Sequence, residues 1–539
     1  MTFIKKFEKS VKECWQMPAI NDYREDAMTY GELASSIFRL QRIWEAAGIA
    51  KGDRIAINAP ASANWGVVFM AAVTGGQVPC QMINGILPQD TVNLVNHSGS
   101  RLLYTEERVF RQITPEDMPQ VIAILDARSG ALLHSKPEFA SAYSEGMAAD
   151  CVLYPENLAY DDRPEDDICS IMYTSGSTGK SKGVMLSVGN FSANVDVIPE
   201  VLPYHRGDSY LSILPYAHIF GLTFDLITPL CTGMHVVPLC MPPVPKILSE
   251  ALCNVNPHIV VMVPLVLTKM KDELIGEFVN SRSGKARLAA VSENRAFARA
   301  LRTIFMSALG DNVELIITGG SAIPEALESL LIDIDVPVVT GYGMTECAPL
   351  ITLGEYGDYR KKECGKPIRT IDLRIASEDP QNVPGEVQVQ GPVVFGGYYR
   401  NPEADSRAFT PDGWFRTGDM GILRDGHLFL VGRCKSMLLT TNGQNVFPEE
   451  IELVLNQLPY VSESLIVQRG NRFIALIVPD SDAVANDDLD AATLATMMET
   501  NLTTLNRKIP AYAAVSGYEL VSGQFSKTPK GSIKRFLYA

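Results

Sequence analysis

The sequence predicts an α/β protein: a large N-terminal domain of helix-flanked sheets, then a small β-barrel-like unit, then a small α+β C-terminal domain. Three observations carry this reading. Short apolar runs alternate with helical patterns and Gly/Pro punctuation through the first half of the chain; after Asp372 the text becomes short strands with tight turns; after Arg433 helices and strands mix again. The length agrees, because 539 residues at roughly 150 per domain correspond to about three or four compact units.

Taken in order, Phe3, Phe7, Val11 and Trp15 recur every four residues and predict a helix that packs one face on the core rather than a membrane anchor. Residues 53–58 (DRIAIN) read as a strand and 65–74 (WGVVFMAAVT) as the helix after it, with further strands at 121–125, 210–214, 259–263 and 313–318. The apolar run 259–267 is broken by Pro264, so it reads as a buried strand followed by a turn. No segment reaches the roughly 18 apolar residues of a spanning helix, while peripheral membrane contact stays compatible with the text. Strands at 373–375, 385–389 and 427–431 form the β-rich subdomain of about 372–433. A helix at 448–458, strands at 464–468 and 473–478 and a helix at 494–505 form the last domain. The expected division is therefore 1–433 and 434–539.

Composition removes several function classes. Lys and Arg total 47 against 62 Asp and Glu, a net charge of −15 without any basic run, which disfavours nucleic acid as a partner. The ten cysteines are scattered, with no CxxC pair and no neighbouring histidine cluster, so neither a disulfide framework nor a zinc site is expected. The N-terminal MTFIKK lacks a signal-peptide core, and a reducing cytoplasm is the expected compartment.

The densest chemical text is residues 173–187, YTSGSTGKSKGVMLS. Gly176 and Gly179 let backbone N–H groups approach oxygens closely, the hydroxyls of Thr174, Ser175, Ser177 and Thr178 add donors, and Lys180 or Lys182 can balance charge, a combination suited to phosphates. It is not a Walker A loop, because Thr174 stands where that motif requires glycine. A plain surface turn is the alternative, disfavoured by the density of small residues and by the apolar flanks.

This loop resembles the phosphate-loop signature of the AMP-forming adenylating enzymes, the superfamily of acyl-CoA synthetases, peptide-synthetase adenylation domains and luciferases. Other segments match in the same order. In residues 340–350, TGYGMTECAPL, the resemblance implies that Tyr342 stacks on adenine with Gly343 beside it, that Thr345 bonds the α-phosphate, and that Glu346 takes Mg2+, a hard ion suited to carboxylate oxygen. Asp419 of WFRTGD and Arg433 would hold the ribose. The segments 215–221 (PYAHIFG, with His218) and 317–322 (ITGGSA, with Gly320 and Ser321) would line the carboxylate end of an acyl site. Gly221, Gly319 and Gly320 suit either an acyl tunnel or tight packing. Lys435 would be a hinge that makes the last domain mobile, and the loop of Asn442, Gly443 and Gln444 would swing in to form the pantetheine tunnel.

One position departs from the pattern. The superfamily usually carries a Gly-Lys pair near its end, the lysine bridging substrate carboxylate and α-phosphate; here Gly531 is followed by Ser532, which brings no charge. If the segment is extended, Lys530, Ser532 and Lys534 share one side. Lys530, and after it Lys534, is therefore the expected replacement, against the alternative that both are solvated charges near a terminus.

The resemblance spans the chain from TYGEL at 29–33 to the altered tail. It implies an ATP-dependent acid:CoA ligase, with ATP, Mg2+ and coenzyme A, forming acyl-AMP and pyrophosphate and then acyl-CoA and AMP. PYAHIFG and NGQNVFPEEIE make it most similar to bacterial long-chain fatty-acid CoA ligases. Two alternatives stay open: an adenylating enzyme for another carboxylic acid or a carrier-protein acceptor, and a nucleotide- or acyl-binding protein whose adenylation is impaired by Ser532.

Overall fold

Parallel strands buried on both faces build the core of the first unit. The structure, a computed structural model, describes residues 1–539 except 176–180, 281–283, 285–286, 289–290, 441–444, 471, 528–532 and 539; the side chains of 175, 277–280 and 445 also lie outside the described set. The chain divides into two compact units, Met1–Asp372 with Gln390–Gly413, and Leu373–Val389 with Trp414–Ala539.

The first unit holds an eight-stranded sheet in the order Gly397–Tyr398, Ser181–Ser187, Ile168–Ser175, Val78–Gln81, Arg54–Asn58, Leu102–Thr105, Ala123–Asp126 and Leu132–Ser135. Its centre is parallel and its two ends antiparallel. Val78–Gln81 and Leu102–Thr105 are buried along their whole length, as parallel strands covered on both faces must be. The helix Ala63–Gly75 begins where Ser62 Oγ accepts from the Trp65 N–H and ends at Gly76 in the left-handed region. The N-terminal helix Phe3–Glu13 buries Phe3, Phe7 and Val11 completely, as the spacing predicts. Trp15 falls beyond its end.

A five-stranded sheet of the same unit pairs Ile259–Met262, Leu315–Gly319 and Val338–Gly343 in parallel, then adds Leu350–Leu353 and Lys366–Pro367 antiparallel. Two expectations need correction here. The residues after Val263 form a helix, Pro264–Asn280, not a turn, because proline is well tolerated at a first helical position where no backbone N–H is needed. The strand expected over 210–214 is Ser209–Ser212; the N–H groups of Ile213 and Leu214 instead donate to Asp225 Oδ2, each at 2.9 Å.

In the second unit, Asp372–Ala376, Gly385–Gln390, Phe415–Arg424 and His427–Arg433 make a four-stranded sheet. The C-terminal part pairs Val461–Arg469, Arg472–Pro479 and Val515–Leu520 and packs helices Pro448–Leu455 and Ala491–Lys508 against them, around Ile451, Leu455, Ala475, Ile477, Met498 and Leu505.

Candidate active site

The two strands that flank the phosphate-loop text pair with each other. Strands Ile168–Ser175 and Ser181–Ser187 pair antiparallel with Thr174 opposite Lys182 and Ser175 opposite Ser181. The first of them lies parallel to Val78–Gln81, so the text between the two follows its carboxyl end, where α/β sheets hold ligands. Gly176, Ser177, Thr178, Gly179 and Lys180 lie outside the described residues, as does the Ser175 side chain.

The partner of Lys182 is a residue that the sequence reading passed over. Its ammonium sits 4.6 Å from the centroid of the Tyr398 ring, and the Tyr398 hydroxyl donates to Glu346 Oε1 at 2.9 Å. Tyr398 is 7 % exposed; burial, and the Glu346 charge beside it, push its hydroxyl pKa far above the usual range, so it stays a donor. The edge strand Gly397–Tyr398 pairs with Met185 and Val184, the Tyr398 N–H donates to Asp405 Oδ1 at 2.7 Å, and the Phe395 N–H donates to the Glu346 carbonyl at 2.9 Å. The hairpin and the 340–350 segment are thereby joined. No motif spacing signals this residue, because the contact depends on pairing between strands more than two hundred positions apart in sequence.

Tyr342 lies in Val338–Gly343 and is 8 % exposed; Thr345 opens a short 3-10 turn and is buried; Glu346 is half-buried. Gly343 is glycine for a packing reason, since a Cβ there would stand 2.0 Å from the Pro349 carbonyl oxygen. The parallel register sets Gly319 opposite Gly341, so Gly320 and Ser321, both exposed, follow one strand as Tyr342 and Gly343 end its neighbour. Gly320 has φ +82, the left-handed region that favours glycine.

His218 caps the short helix Ile219–Gly221, which runs on through a π-turn, Leu222–Ile227. Thr223 Oγ1 donates to the Ala348 carbonyl at 3.0 Å, tying this segment to 340–350. The glycines here serve packing rather than an open wall. A Cβ on Gly221 would lie 2.5 Å from the Pro215 carbonyl oxygen, and one on Gly319 2.9 Å from that of Gly341 and 3.5 Å from the Phe220 ring. Asp225, a second residue the sequence reading missed, holds 213–214 from inside the π-turn and accepts from the Tyr210 hydroxyl at 2.8 Å. Complete burial pushes its pKa up to about 7 against the hydrogen-bond donors around it, which pull the other way.

In the second unit Asp419 and Arg433 stand opposite each other across adjacent strands, and Arg433 Nε meets Asp419 Oδ1 at 3.1 Å. The Asp419 side chain is 10 % exposed and that of Arg433 65 %. Lys435 lies in the exposed turn that follows. Gly443, with Asn442 and Gln444, lies outside the described residues, as do Lys530 and Ser532. What flanks the tail is firmly held: Lys527 pairs antiparallel with Ile533, the Lys534 N–H donates to the Ser526 carbonyl at 2.8 Å, and Lys527 and Arg535 form ion pairs with Glu463 and Glu452. Lys534 caps the 3-10 turn Arg535–Leu537.

No helix among the described residues is long and apolar enough to cross a membrane. The AMP-binding enzyme family model matches residues 7–399, and the model for the AMP-binding enzyme C-terminal domain matches 435–538. Among curated proteins, the chain is 28 % identical over 467 residues to the long-chain-fatty-acid–CoA ligase FadD15 of Mycobacterium bovis, covering 81 % of this chain and 74 % of that one. Among solved structures, ATP-bound MatB from Rhodopseudomonas palustris superposes with a TM-score of 0.77 at 22 % identity, covering 100 % of this chain and 98 % of that one. A benzoate CoA ligase from Burkholderia xenovorans superposes at 0.77 and 19 % identity, covering 100 % and 99 %. The two structures share the fold, and the family match spans well over half of the sequence: this chain belongs to the AMP-binding enzymes, the adenylating superfamily its motifs resemble.

Proposed function

We propose that this protein is an AMP-forming acid:CoA ligase that takes a long-chain fatty acid as substrate. The observation that carries the proposal is the meeting, in one unit, of the hairpin lysine Lys182 and the carboxylate of Glu346 on one residue, Tyr398, the lysine over its ring and the carboxylate at its hydroxyl. Long-chain specificity draws its support from relatives such as FadD15. Glu346 fits a divalent ion that arrives on the triphosphate, because it offers one hard oxygen donor while phosphate and water oxygens complete the shell.

In this reading a carboxylate oxygen of the acid attacks the α-phosphorus of ATP and pyrophosphate leaves. The thiol of CoA then attacks the carboxyl carbon and AMP leaves, so no enzyme cysteine is used as a nucleophile. The hydroxyls and backbone of 174–179 with Lys182 hold the β- and γ-phosphates, Tyr342 and Gly343 hold the adenine, Thr345 the α-phosphate, and Asp419 and Arg433 the ribose. His218, Gly320 and Ser321 flank the acid. Lys530, or after it Lys534, supplies the cation that Ser532 does not. Lys435 is the hinge between domains 1–433 and 434–539, and Gly443 gives the pantetheine arm passage.

Pyrophosphate release across acids from acetate to oleate, with and without CoA, tests this directly. The expected result is release with long-chain acids and CoA-dependent thioester formation. Preference for an aromatic or short acid, or for a carrier-protein thiol, overturns the substrate assignment, and ATP binding without release for any acid favours a binding protein. Pyrophosphate exchange that survives Lys530→Ala, Lys534→Ala and the double variant excludes both lysines.

A further inference from the structure

Lys182 and Glu346 carry opposite charges and approach the same tyrosine, yet each meets a different part of it: the ammonium lies over the ring face and the carboxylate takes the hydroxyl. A direct lysine–carboxylate pair would neutralise both groups and leave neither charge for a charged ligand. An aromatic face holds an ammonium more loosely than a carboxylate does, so an incoming phosphate oxygen can take the lysine. The hydroxyl holds Glu346 through Oε1 alone, and Oε2 has no protein donor among the described residues.

The tyrosine is itself fixed. Phe395 packs edge to face on its ring with centroids 4.8 Å apart, Phe409 stacks on Phe395, and Asp405 holds its backbone N–H. Gly397, with φ +138, brings the backbone within reach of Asp405: a Cβ there would lie 3.1 Å from Oδ1.

We propose that Tyr398 is a positioning residue that keeps Lys182 and Glu346 apart and poised, its ring holding the phosphate cation in reserve and its hydroxyl holding Glu346 by Oε1, so that Oε2 would be left for the metal of a metal–nucleoside triphosphate. This rests on the proposed ATP-dependent function. Two variants separate the two tasks. Tyr398→Phe keeps the ring and removes the donor; Tyr398→Leu removes both.

The test is nucleotide binding by the full chain, measured by calorimetry with ATP alone and across a Mg2+ titration, with thermal midpoints recorded for each variant. Tyr398→Phe is expected to bind metal-free ATP within about twofold of the parent but to need about tenfold more Mg2+ for half-maximal enhancement, the scale on which residues that orient a metal ligand act. Tyr398→Leu is expected to lose metal-free ATP affinity as well, because Lys182 is then released onto Glu346. A parent protein that binds ATP while Tyr398→Phe shows an unaltered Mg2+ titration overturns the inference and leaves the function standing. So does an equal loss in both variants with and without Mg2+. A parent that binds no ATP under either condition overturns the function and the inference together.

Discussion

Two sets of opposite charges among the candidate site residues are built in opposite ways. In the first unit Lys182 and Glu346 are separated by an aromatic side chain, while in the second Asp419 and Arg433 bond directly at 3.1 Å. The direct pair fixes the carboxylate and the guanidinium against each other before any ligand arrives, as would suit the proposed joint hold on neutral hydroxyls. The separated pair leaves both charges available, as suits groups that meet charge of the opposite sign. A third carboxylate, Asp225, marks the other limit: it is wholly buried, accepts from neutral donors, and its pKa rises to about 7.

The largest expected break in this comparison is Glu346→Gln, which keeps an acceptor for Tyr398 and removes the charge. Pyrophosphate exchange should fall by ~10²–10³-fold, the loss typical of one preorganised electrostatic group. Asp419→Ala should act on binding instead, with the KM for ATP raised roughly 10–100-fold, corresponding to the loss of hydrogen bonds to a charged group, and kcat changed far less; steady-state kinetics at saturating acid reads the split.

Asp225→Asn sharpens the contrast through pH. The folded pKa of Asp225 lies above its ordinary value of 3.8, so its contribution to stability is full below that value and is lost as pH rises through about 7. Asparagine does not titrate. The stability of the parent relative to this variant should therefore fall by roughly 1.4 kcal/mol per pH unit between about pH 4 and 7 and level off above, in denaturant melts across that range. The smallest effect belongs to Arg433→Ala. With the Arg433 side chain 65 % exposed, the pair stabilises the fold by under about 1 kcal/mol, and the thermal midpoint should hardly move although ATP binding weakens.

Local chemistry was legible in the sequence, and long-range pairing was not. Small residues around 173–187, the buried parallel strands and the switch of texture after Asp372 all write their structure into neighbouring positions, and the elements at 54–58, 63–75, 259–262 and 385–390 follow from them. Tyr398 stands in no motif picked out in the sequence, and only the pairing of 397–398 with 184–185 gives it Lys182. Asp225 lies inside an apolar run where periodicity argues for core, and its value as an acceptor appears only once Ile213 and Leu214 leave their strand. Gly221 and Gly319 show the limit of composition: absent side chains suit a tunnel and a tight contact equally, and the neighbouring carbonyl oxygens decide for contact.

The short strand Gly397–Tyr398 also closes the outer border of the eight-stranded sheet. Until the ribosome has delivered it, Ser181–Ser187 presents unpaired backbone N–H and C=O groups along an open edge, which is a template for pairing with another chain. Joining it to that edge also means closing a loop of roughly two hundred residues, an entropic step that grows slowly with length but delays the contact. A nascent or truncated chain ending before residue 397 is thus exposed to self-association at the very hairpin that carries the phosphate loop.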